Sequence, residues 1–239
     1  MGEKENYMFE YVTKAEYKPV KQELEKIIVQ VQAVMRKKYE TTFQFSLIGS
    51  GKRHLVTRVV GGNSGYDFDY NLIITAPKQG YHYKADVVKQ QFMDAFRTVL
   101  KNTKYKDPQD STSAITIKVV DKQKNRIEHS CDFAIIYYDR NRAENGYYYL
   151  KHDKRQDNYD FVFRNLSRDA GAKVEEIIEY SNGWNEIRDE YLKLKNSNRD
   201  YNKHSFSLYL EAVNNVYNRL PDEDDYYDDD DDDDDYYYD

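Results

Sequence analysis

The chain has 239 residues, 39% of them hydrophobic, enough to bury a sizeable core. Its single cysteine, Cys131, excludes an internal disulfide, and its five scattered histidines exclude a zinc-ligand spacing. The net charge of -7 conceals two parts: residues 222–239, "DEDDYYDDDDDDDDYYYD", hold 13 of the 43 acids and none of the 36 Lys and Arg, leaving a body of net +6 that suits phosphate-bearing partners.

The lead "MGEKENYMFEYVTK" has no apolar signal core, and no run reaches the ~18 apolar residues of a membrane helix, so the expectation is a cytoplasmic protein without a membrane span. "KPVKQELEKIIVQVQAVMRKKYE" places Val20, Leu24, Ile27, Ile28, Val31 and Val34 at helical spacing, predicting a helix over 18–39 with Pro19 in its first turn. "TFQFSLIGSG" reads as a strand entering a Gly-Ser turn, and "YDFDYNLII" as a second strand. Residues 84–102 form an amphipathic helix through Val87, Val88, Phe92, Phe96, Val99 and Leu100. "SAITIKVVD" and "RIEHSCDFAIIYY" are strands rich in β-branched and aromatic residues, and "NGYYYLKHD" suggests one more. From Asp169 the pattern is helical only, in three segments ending before Pro221. The fold class expected is α+β, a small mixed sheet flanked by helices. Its domains are a core over 1–168, a helical region over 169–221 and a disordered acidic tail over 222–239. That tail is either a solubilising appendage or a polyanion competing with nucleic acid for the basic body, an inhibition that salt would weaken.

Side chains at i and i+2 of a strand share a face, about 6–7 Å apart, so Asp67 and Asp69 project together. Two neighbouring carboxylates repel unless a cation compensates them, and a hard divalent ion such as Mg²⁺ is suited to that. Asp132 lies in an otherwise apolar strand, "CDFAII", where a lone buried charge is costly; a metal shared by all three acids would satisfy each. Taken alone, "YDFDYN" reads as a solvated strand face, a reading that Gly49-Ser50 and Asp132 together reverse in favour of a metal site, and Gly49 to Gly51 reads as an ordinary strand-helix turn or a phosphate-binding one. Lys52, Arg53 and Arg58 are phosphate contacts or solvated charge. Trp184 and Tyr147 to Tyr149 are base-stacking or packing groups, and His129 and Cys131 alternate opposite to Asp132 as core residues.

In order, Ile48-Gly49-Ser50, Asp67-Phe68-Asp69 and Asp132 resemble the nucleotidyltransferase superfamily typified by DNA polymerase β, across residues 43 to 139. The resemblance implies a nucleotidyltransferase-like core and two bound ions, Mg²⁺ or Mn²⁺, held by Asp67, Asp69 and Asp132. Gly49 and Ser50 would bind the triphosphate of an NTP such as ATP. It implies transfer of NMP to a hydroxyl with release of pyrophosphate, and Asp132 helping to take the hydroxyl proton. The acceptor is left open among a nucleotide, an RNA end, a protein side chain and a small molecule such as an antibiotic. The basic body argues against a polycationic aminoglycoside. Two rival readings are a catalytically inactive nucleotide- or RNA-binding module of the same fold and an α+β interaction protein with solvated aspartates. Sixteen residues separate Ser50 from Asp67, more than the family spacing, with "GGNSG" as a looped insertion. Where the family's cyclic-oligonucleotide branch shows Gly-Thr shortly after Gly-Ser, this chain reads "GKRHLVT".

Overall fold

The computed structural model describes residues 8–139, 145–166, 169–180, 183–200 and 202–221. The acidic tail, expected to be disordered, lies outside the described residues. The chain divides into two compact units, Met1–Ser167 and Arg168–Asp239.

In the first unit the chain enters through β1 (Phe9–Tyr11) and turns into α1 (Lys14–Tyr39). The start of α1 differs from the sequence expectation. Thr13 caps the helix: its Oγ1 accepts from the Glu16 amide, and the Glu16 carboxylate accepts from the Thr13 amide. The Thr13 hydroxyl donates to the same carboxylate (2.7 Å); this bond first, then those from the Thr13 amide and Arg58, hold the Glu16 carboxyl at about 2. The box starts the helix before the proline, so Pro19 sits inside it. Leu24, Ile27, Ile28, Val31 and Met35 form the buried stripe, each contributing roughly 1.5–3 kcal/mol.

β2 (Phe43–Ile48) leads into the single turn of α2 (Gly49–Lys52), then β3 (Thr57–Val59) and β4 (Tyr66–Ile74). β3 pairs with β1, which accounts for the long interval between Ser50 and Asp67. Residues 61–65 loop from β3 into β4, and a Cβ on Gly65 would stand 2.3 Å from the Glu128 carbonyl oxygen, so only glycine fits that approach. α3 (Ala85–Leu100) follows. Its buried stripe runs through Val88, Phe92, Phe96 and Leu100, whereas Val87, expected in it, is 43% exposed, because the helical turn places it on the side opposite Ala85, Phe92 and Phe96.

β5 (Gln109–Asp110), β6 (Ile115–Asp121), β7 (Arg126–Tyr137), β8 (Gly146–Asp153) and β9 (Asn158–Asn165) complete the unit. Seven of the described strands form one mixed sheet in the order β2-β4-β7-β6-β5, with β8 joined to β7 and β9 to β8. β4 and β7 are parallel and the other pairs antiparallel. Phe68, Tyr70, Leu72 and Ile74 share one core with α1 and α3. Phe43 on Phe92 (5.1 Å) and Phe96 on Phe133 (4.7 Å) join sheet to helix. Alternation then puts Asp67, Asp69 and Asn71 on the opposite face.

A lysine is buried on the helix side. Lys89 of α3 is 1% exposed, and its Nζ donates to the Ala114 carbonyl (2.8 Å) and lies 2.8 Å from Asp110 Oδ1. The Tyr159 hydroxyl donates to Asp110 Oδ2 (2.6 Å), which is also 3.0 Å from His152 Nδ1. Burial pulls the Lys89 pKa down, opposed by Asp110; burial would raise the Asp110 carboxyl, but Lys89 and Tyr159 hold it low. Lys89→Met leaves Asp110 and the Ala114 and Ser111 carbonyls without their cation, and is expected to destabilise the protein by about 2–4 kcal/mol in urea denaturation. Adding Asp110→Leu is expected to recover part of that loss.

Among the described residues of the second unit are three helices, α4 (Asp169–Tyr180), α5 (Gly183–Ser197) and α6 (Ser205–Tyr217). Ile187, Tyr191, Leu208, Ala212, Val213 and Val216 are buried within it. Gly183, the first residue of α5, has no room for a side chain, since a Cβ would stand 2.3 Å from the Ile177 carbonyl oxygen. The described residues contain no helix long and apolar enough to cross a membrane.

Candidate active site

The site is built on one rung across the sheet. Ile48 of β2 pairs with Asp69 of β4, Asp69 with Asp132 of β7, and Asp132 with Thr116 of β6. Partners on a rung share a face, so Asp69, Asp132 and Thr116 project together, and Asp67 joins them by alternation. The sequence alone points to the acids; the parallel pairing of β4 with β7 makes Asp69 and Asp132 neighbours.

Gly49 follows Ile48 at the end of β2 with φ +63°, and a Cβ there would lie 2.5 Å from Asp69 Oδ2. Gly51 is confined by packing alone, since a Cβ would stand 2.8 Å from the Phe68 ring. Both glycines of "GSG" are thus fixed by the Asp67-Phe68-Asp69 strand beside them. The Ser50 carbonyl accepts from Leu55 N (2.9 Å) and the Gly49 carbonyl from Arg53 Nη1 (3.1 Å), which closes the turn.

The acids crowd one another. Burial first, then the charges of Asp67 and Asp132, push the Asp69 carboxyl up to about 7. Burial and the Asp67 charge also raise Asp132, against a hydrogen bond from Thr116 Oγ1 to Oδ1 (2.5 Å) that lowers it. Asp67 itself is exposed. No group of three His, Cys, Asp or Glu side chains among the described residues is arranged to hold a metal as it stands. The donor set nevertheless fits a hard divalent cation. The donors on offer are carboxylate oxygens, the Asp69 and Asp132 carboxyls are raised by burial and by neighbouring acid charge that a cation would offset, and all three acids lie on one face. Asp67, Asp69 and Asp132 could hold such an ion.

Other sequence candidates fall elsewhere. Arg58 is committed to Glu10 (2.6 Å) and Glu16 (2.7 Å), and Lys52 is exposed. Tyr148 stacks on Tyr137 (5.0 Å), Tyr149 lies under the Arg164 guanidinium (4.4 Å) and Tyr147 meets Tyr138 edge-on, so all three pack within the first unit. Trp184 is in α5 of the second unit. His129 and Cys131 are buried in the core. Two residues escaped the sequence reading. Asn71, next in the Asp67, Asp69 alternation, is 7% exposed, and its Oδ1 has no hydrogen-bond partner among the described residues. Thr116 alternates with the buried Ile115 and Ile117, which marks its face but not its neighbour.

The fold carrying this rung is the nucleotidyltransferase fold. The chain is similar to a mutant of the Vibrio cholerae di-nucleotide cyclase DncV, solved with ATP, GTP and 5MTHFGLU2, at TM-score 0.63 and 11% identity over 89% of this chain and 71% of that one. The 3′-deoxy GTP bound form of DncV matches at TM-score 0.62 and 12% identity, over 89% and 69%. The Elizabethkingia meningoseptica cyclic dinucleotide synthase CdnE, solved with GTP and Apcpp, matches at TM-score 0.51 and 15% identity, over 82% and 70%. No family model and no curated protein matches the sequence.

Proposed function

We propose that this protein is a metal-dependent nucleotidyltransferase that transfers NMP from an NTP to a hydroxyl group. The observation that carries this reading is the Asp69–Asp132 rung with Asp67 beside it and Gly49 against the Asp69 carboxylate. Two divalent ions, Mg²⁺ or Mn²⁺, would neutralise the triphosphate and acidify the attacking hydroxyl. Asp67 and Asp69 hold positive charge at the triphosphate, and the open backbone at Gly49 and Ser50 lets phosphate oxygens approach. The acceptor oxygen bonds to the α-phosphorus as the bond from that phosphorus to the bridging oxygen breaks. Pyrophosphate leaves, and the hydroxyl proton passes toward Asp132, whose Oδ2 carries no hydrogen bond among the described residues.

The acceptor we favour is the hydroxyl of a second nucleotide, giving a linear or cyclic product. Two observations support it: the basic body, and the fold shared with proteins described as cyclic dinucleotide synthases, although "GKRHLVT" departs from that branch's Gly-Thr. The test is pyrophosphate release from each of the four NTPs and their pairs with Mn²⁺ or Mg²⁺, with products resolved by mass. Release that requires metal and yields a dinucleotide is expected. Metal-dependent NTP binding without release would instead establish a non-catalytic nucleotide binder.

A further inference from the structure

We infer that Thr116 is a positioning residue for Asp132, setting the carboxylate for metal binding through a hydroxyl relay; this rests on the reading of Asp132 as a metal ligand. Thr116 Oγ1 lies 2.5 Å from Asp132 Oδ1 and 2.7 Å from Ser111 Oγ. A hydroxyl carries a single proton. With Asp132 ionised, Thr116 must donate to Asp132, so Ser111 donates to Thr116, and the relay runs from Ser111 through Thr116 to Asp132. Each donor polarises the next, strengthening the bond that reaches the carboxylate.

The relay fixes one of the two Asp132 oxygens on the β6 side of its strand, while β4 and Asp69 lie on the other side. A carboxylate otherwise turns freely about its last bond, and a ligand pinned at one oxygen presents the other in one orientation. The Ser111 end is anchored in turn. The Ser111 amide donates to the Ala114 carbonyl (3.1 Å), and buried Lys89 donates to that carbonyl (2.8 Å) and to the Ser111 carbonyl (3.4 Å). The hairpin carrying both hydroxyls is therefore held from the helix side of the sheet while the hydroxyls act on the open side. Neither residue touches NTP or metal in this scheme, and both act through Asp132.

The test compares wild type, Thr116→Val, Thr116→Ser, Ser111→Ala and Asp132→Asn as full-length proteins, titrated with Mn²⁺ by calorimetry and by the Mn²⁺-induced shift in melting temperature. Removing a residue that orients a metal ligand typically costs 10–100-fold in affinity, so Thr116→Val is expected to weaken Mn²⁺ binding by about 10-fold or more. Its metal-free melting temperature should stay near that of wild type. Thr116→Ser, which keeps the hydroxyl, is expected to restore binding, and Ser111→Ala to show a smaller loss in the same direction. Pyrophosphate release should fall in kcat more than it rises in KM for NTP. Thr116→Val binding Mn²⁺ like wild type, or Thr116→Ser failing equally, would overturn the role of Thr116 while leaving Asp132 as ligand. A wild type without any Mn²⁺ response, or an Asp132→Asn that binds like wild type, would overturn the parent reading and this one with it.

Discussion

Asp69→Asn is expected to abolish metal-dependent pyrophosphate release, by about 10³-fold or more, and at the same time to make the metal-free protein more stable. Both effects have one cause. Asp69 is driven from 3.8 to about 7 by burial and by the Asp67 and Asp132 charges. A carboxyl whose folded pKa exceeds its unfolded value binds its proton more tightly when folded. Its contribution is therefore fully present below about pH 4 and is lost as pH rises through about 7. Above that, an ionised Asp69 opposes folding by on the order of 2–4 kcal/mol, which the neutral amide does not. Thermal melts in EDTA across pH 4 to 9 should show wild-type stability declining over that window and the Asn variant lacking that decline. At pH 8 the variant is expected to melt several degrees higher, while Mn²⁺ raises the wild type alone. An Asn variant less stable than wild type at pH 8 would show that the Asp69 carboxyl is not held against its neighbours' charge.

Gly49→Ala is the second large effect. The added methyl would meet two obstacles, the left-handed backbone at φ +63° and the Asp69 oxygen 2.5 Å from the Cβ position. The first costs about 1–2 kcal/mol; the second must displace the carboxylate from its place in the rung, and a shift of about 1 Å at a reacting group costs on the order of 10²-fold in rate. Gly80→Ala separates the two. Gly80 also has a positive φ (+82°), yet nothing lies within 4 Å of its Cβ position. It is expected to lose stability and keep its activity, whereas Gly49→Ala loses both. Equal activity in the two variants would mean that Gly49 serves only the backbone turn.

Periodicity carried most of the elements. The helix stripes at Leu24, Ile28 and Val31 and at Phe92, Phe96 and Leu100, and the alternation of "YDFDYNLII", are local patterns that survive because each buries one face against the same sheet. The elements missed were the short β1, β3 and β5, and β9; β1 and β3 exist only through a partner far along the chain, whereas β5 and β9 pair with the strand next to them. For β1 that partner is β3, joined through Phe9 and Val59. Pro19 misled for a related reason. The capping box of Thr13 and Glu16 starts the helix earlier, and the helix continues through the proline because its far side is committed to the core.

By itself the sequence determined that Asp67 and Asp69 share a face, that a Gly-Ser turn precedes them and that a third acid stands in an apolar strand. A period of two and a buried charge are properties of consecutive residues. Only the tertiary structure decided that Asp132 stands beside Asp69, that Gly49 has no room for a side chain because Asp69 fills it, and that Thr116 is bonded to Asp132. Those facts are set by cross-strand register. Register follows from which strands pair and in which direction, and pairing between residues 69, 116 and 132 leaves no trace in the residues next to each.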